Sequence, residues 1–142
     1  DDDLARMASH EVGDALERHL FHRYGHRDPR PMRRALSASD RNRLVDAIRG
    51  QLDAEHSLAA FAALVGMDER GFTGAFRDAF GVSPWQYVMR ARLDEAARLL
   101  WYGEEPVTEV ALATGFASPS HFATAFARRF GVPPSRYRAA AR

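Results

Sequence analysis

Ser120, His121, Thr124 and Arg128 share one side of a helical stretch, and Arg70, Thr73, Gly74 and Arg77 fall on the matching stretch of an earlier copy. Hydroxyls, an imidazole and guanidinium groups can reach base edges and phosphate oxygens. They are poorly equipped for bond-making chemistry: no Ser-His-acid set, paired carboxylates or phosphate-binding Gly loop accompanies them. The chain has no cysteine, which excludes disulfides, thiolate metal sites and cysteine nucleophiles. Its six histidines (His10, His19, His22, His26, His56 and His121) show no HExxH or similar ligand spacing, so neither a metal nor a cofactor is expected. The chemistry available is recognition.

What must position these groups is a phenylalanine ladder that occurs twice. Phe72, Phe76, Phe80, Gly81, Val82, Pro84 and Tyr87 recur as Phe122, Phe126, Phe130, Gly131, Val132, Pro134 and Tyr137, at an offset of 50. Upstream the offset is 49, where Ala62 and Gly66 match Ala111 and Gly115, so the second copy has one residue more in its turn. One supersecondary unit is used twice. In each copy a short helix meets a Gly turn and a longer helix follows, which is the helix-turn-helix plan. Phe at i, i+4 and i+8 packs inward and turns the polar side outward.

Taken in order, the chain reads as all-α. Residues 4–24 have the stripe of an amphipathic helix, through Met7, Val12, Leu16, Leu20, Phe21 and Tyr24, and residues 25–37 are a Pro-containing basic linker. Ser39 or Asp40 is the expected cap of a helix running to about Asp53. Ser57 heads a helix over 58–65 and Asp68 one over 69–80. Ser83 and Pro84 then start a long helix to about residue 101. Helices follow over 107–114, over 119–130 behind Ser118, and from Pro134. The long connector of about 18 residues spans about 27 Å at helical rise. That is near the ~34 Å between successive major grooves on one face of B-DNA.

Charge supports this reading through its distribution. Net charge is only +1, but residues 118–142 hold five Arg and no acid, and every basic residue in the chain is Arg. Arg suits bidentate contacts to phosphate and guanine. No apolar run is long enough to span a membrane.

On these residues the chain resembles the DNA-binding domain of the AraC/XylS family of bacterial transcription regulators, over about residues 57–142. VTEVALATGFASPSHFATAFARRFGVPPSRYR is similar to the family signature, and FGVSPWQYVMRARLDEAARLL to its first half and connecting helix. The resemblance implies two helix-turn-helix subdomains, 38–83 and 104–142, joined by a linker helix, 84–103. Residues 1–37, an N-terminal helix and linker, would be the end of a missing sensor or dimerisation domain. It implies double-stranded DNA as partner, contact with RNA polymerase in an activator, and a cytoplasmic, nucleoid-associated protein. A homodimer would form through the N-terminal segment or the missing domain. Carried over residue by residue, it makes Arg70, Thr73, Gly74, Ser120, His121 and Thr124 base-facing, and Arg77, Arg128 and Arg129 phosphate-binding. Gly74 and Thr124 depart from the Arg often found in the family. A helical protein-interaction module, with DNA binding secondary, is the alternative.

Overall fold

The computed structural model describes residues 34–142, so the expected helix over 4–24 and residues 25–33 of the linker lie outside the described residues. Within them are seven helices and no strand: α1 (Ala38–Gly50), α2 (Leu58–Leu64), α3 (Glu69–Phe80), α4 (Pro84–Tyr102), α5 (Val107–Ala113), α6 (Pro119–Phe130) and α7 (Pro134–Ala140).

The starts follow from side-chain caps that occupy the free N–H groups of each first turn. Ser57, Asp68, Ser83 and Ser118 accept from the backbone three residues on, as the sequence suggests. The start of α1 differs. Its cap is Ser37, not Ser39 or Asp40, and Asp40 closes a capping box by accepting from the Ser37 N–H. The pattern S-x-x-D satisfies both donors, which a cap at Ser39 or Asp40 would leave open. The helix also stops at Gly50, short of Asp53.

The phenylalanine ladder closes two cores. Phe72 and Phe76 join Leu36, Leu44, Ile48, Phe61, Ala62, Val65 and Val88. Phe122 and Phe126 join Leu93, Ala96, Ala97, Leu100, Val110, Ala111 and Phe116. Each ladder ends on a tyrosine set edge-on to it. Phe76 and Tyr87 meet at 5.8 Å and 79°, Phe126 and Tyr137 at 5.3 Å and 77°. Such pairs add about 0.5–1.5 kcal/mol to their burial. The long helix α4 gives Val88 to the first core and Leu93, Ala96, Ala97 and Leu100 to the second. It is therefore a wall of both halves, with the handover between Val88 and Leu93.

Candidate nucleic-acid interface

In α6, Pro119 fills the first turn and Phe122 and Phe126 anchor the inner side. Ser120, Thr124 and Arg128 are exposed on the other. The Thr124 hydroxyl donates to the Ser120 carbonyl at 3.0 Å, so its oxygen presents an acceptor outward. His121 is half-buried, its ring 5.5 Å from Phe116, which puts it at the margin of this face. No ion pair to a described residue engages Arg128 or Arg70.

The matching face of α3 is less well furnished. Arg70 is exposed, and Gly74 and Arg77 are half-buried. Thr73, expected to face bases, is covered: it is 6% exposed and its hydroxyl donates to the Glu69 carbonyl at 2.9 Å. A hydroxyl satisfied within its own helix, on a covered position, does not present itself to a ligand. Acids also gather here. Asp68 and Glu69 open α3, and exposed Asp78 stands where the second copy has Arg128. The first turn of α6 carries no acid. The positive end of its dipole is thus unopposed, which favours phosphate at α6 over α3.

Arg129, expected to bind phosphate, has a partner within the fold. Its guanidinium grips Asp94 of α4 bidentately, Nε to Oδ1 at 2.9 Å and Nη2 to Oδ1 and Oδ2 at 2.8 and 3.1 Å. A planar fork matched to a carboxylate is thereby occupied, and Arg129 ties α6 to α4. The acid-free C-terminal end is partly structural for the same reason. Arg138 Nε donates to the Leu100 carbonyl at 3.3 Å and Arg142 Nη2 to the Gly103 carbonyl at 3.2 Å. Both put positive charge at the negative end of α4.

One residue that sequence reasoning passed over is Arg92. It is 6% exposed, with Nε donating to the Leu52 carbonyl at 2.8 Å and Nη2 to the Ala54 carbonyl at 3.0 Å. Its position gave the signal: Val88, Arg92, Ala96 and Leu100 step by four, and the other three are buried.

Comparison with known proteins agrees with this geometry. Residues 61–140 match a family model described as a helix-turn-helix domain. The probable transcriptional regulator LumQ of Photobacterium leiognathi is 36% identical over 90 residues, 63% of this chain and 36% of LumQ. The transcriptional activator RhaR of Pectobacterium carotovorum is 29% identical over 119 residues, 84% of this chain and 41% of RhaR. The chain spans about a third of the length of the curated relatives it matches. Among solved structures, the DNA-binding domain of AdpA in complex with a target DNA superposes with a TM-score of 0.65 at 34% identity, covering 68% of this chain and 87% of that one. An AraC-type regulator from Chromobacterium violaceum gives a TM-score of 0.68 at 25% identity, covering 72% and 92%.

Proposed function

This chain belongs to the AraC/XylS family of helix-turn-helix regulators, and we propose that it binds promoter DNA sequence-specifically, with α3 and α6 in successive major grooves. The observation that carries this reading is the repetition: two α-turn-α units, each with a polar outer face, on one shared helix. The 19 residues of α4 extend about 28 Å at helical rise, which suits adjacent turns of one duplex face. The reading units are residues 38–83 and 104–142, with 84–103 between them. Base edges are met by Arg70, by the backbone at Gly74, and by Ser120 and Thr124, with His121 at the margin. Arg77 and Arg128 take phosphates.

The protein acts as an activator, by likeness to relatives such as RhaR, which carries that name. RNA polymerase is then its protein partner. Trp101 and Tyr102, 42% and 80% exposed at the end of α4, support a protein contact there. Residues 1–37, or a domain beyond them, supply a dimer contact, and the site of action is the cytoplasmic nucleoid.

The test is duplex binding across a salt series, with sites selected from random DNA and footprinted. Affinity falls as salt rises, because phosphate contacts release counterions. Two protected tracts about one helical turn apart are expected. Absence of duplex affinity even at low ionic strength would sink the proposal.

A further inference from the structure

We propose that Arg92 is a positioning residue: it clamps the turn of the second helix-turn-helix against the first half of the molecule and thereby sets which half-site spacing the protein accepts. The inference rests on the DNA-binding reading, but its geometry stands apart from it.

Three segments meet at this guanidinium. From α4, Arg92 reaches the loop between α1 and α2 and holds the Leu52 and Ala54 carbonyls. Its cation also lies 5.8 Å from the ring centroid of Trp85, about two turns earlier on the same helix. The third segment is the turn between α5 and α6. Gly115 has φ +96°, and a Cβ built on it would lie 2.7 Å from Arg92 Nε, 2.8 Å from Cζ and 2.8 Å from the Leu52 oxygen. The Gly115 backbone thus lies close against the guanidinium and the Leu52 carbonyl, leaving no room for a side chain. Only glycine meets both demands, the left-handed backbone and the missing side chain.

The position in α4 gives the contact its leverage. Arg92 falls between Val88, which serves the first core, and Leu93, which begins the second. With one helix as the sole joint, the halves could twist about it. The clamp adds a second joint off the helix axis, at the turn that launches α6. Two binding modules on one chain gain affinity only where their geometry permits both to engage at once. A fixed angle between α3 and α6 therefore becomes a preference for one half-site spacing. Lysine could keep the charge but not the fork that holds two carbonyls in one plane.

Two measurements test this. The first compares the chain with Arg92→Lys on its selected duplex, on duplexes with one or two base pairs inserted or removed between half-sites, and on a single half-site. The expected result is a loss of about tenfold at the selected spacing, a flatter spacing profile and unchanged single half-site binding. Gly115→Ala should flatten the profile in the same way, should Arg92→Lys fail to fold by circular dichroism. A parallel profile with uniform loss would show a merely structural residue and overturn the inference, as would a wild-type chain indifferent to spacing. The second needs no DNA. The chain has no cysteine, so spin labels at Asp46→Cys and Ser135→Cys, exposed in opposite halves, report the distance between them cleanly. The distribution should broaden in Arg92→Lys, and an unchanged width refutes the clamp even if the wild-type chain proves to bind no duplex.

Discussion

Arg128 and Arg129 are neighbours with opposite fates. Arg128 is exposed and faces away from the Phe ladder, whereas Arg129 is held by Asp94. Arg128→Ala should therefore weaken binding on all duplexes alike and reduce the salt slope by about 1. Arg129→Ala should leave the slope unchanged and cost at most about 1 kcal/mol in stability, since the pair is partly solvated. Fluorescence anisotropy across a salt series separates the two, and equal slope changes would refute the assignment. Arg70→Ala should relax base preference within one half-site only, with a loss of about 1–3 kcal/mol on the selected duplex and little on random DNA. The ladder made the inward and outward sides of α6 legible, so Ser120, Thr124 and Arg128 could be placed from spacing alone. The fate of Arg129 could not be read, because Asp94 lies 35 residues away and no local pattern links them. Thr73 escaped for another reason: the spacing that frees one side of α3 says nothing about which side-chain oxygen turns back to its own helix.

Helix starts were the easiest elements to read, because a cap is a local device within four residues. The one misplaced start, that of α1, shows the limit: the Ser37 and Asp40 pair was within reach, but Ser39 and Asp40 lie closer to the apolar stripe. The box has a pH signature. The Ser37 N–H bond, helped by the Ser37 hydroxyl and Arg34, holds the Asp40 carboxyl below its ordinary 3.8. A depressed folded-state value means the contribution is whole above pH 3.8 and is lost as pH falls through that lower value. His56 acts earlier in the descent. Burial first and Arg92 second lower its pKa from the ordinary 6.5, so it is kept neutral beside Phe61. The unfolded chain then binds the proton more readily, and stability should fall as pH drops below 6.5. In urea melts against pH, His56→Gln should flatten the upper part of this decline and Asp40→Asn the lower part. Unchanged curves would mean that neither group carries the linkage.

At the scale of the molecule the decisive fact is that α4 is divided between two cores. The repeat suggested two units with a connector, yet neither core is complete without residues of that connector. This was hidden in the sequence because α4 is apolar on more than one side, and a stripe does not name its partner. Shared walls couple the halves. Loss of the second core would remove the packing of Leu93, Ala96 and Leu100, and with it half the support of α4, whose Val88 closes the first core. Arg92 and the Asp94–Arg129 pair add ties in the same direction. The two helix-turn-helix units should therefore unfold together in one transition. Phe126→Ala, at a fully buried site, should cost about 3–5 kcal/mol, a large part of a small domain's stability. Native-state amide exchange gives the sharp readout. If coupling holds, the slowest amides of α3 should speed up in Phe126→Ala by the same factor as those of α6, although α3 lies in the other half. If α3 keeps its protection while α6 loses it, the halves fold independently, and the shared helix would be a hinge between two modules instead of a common wall.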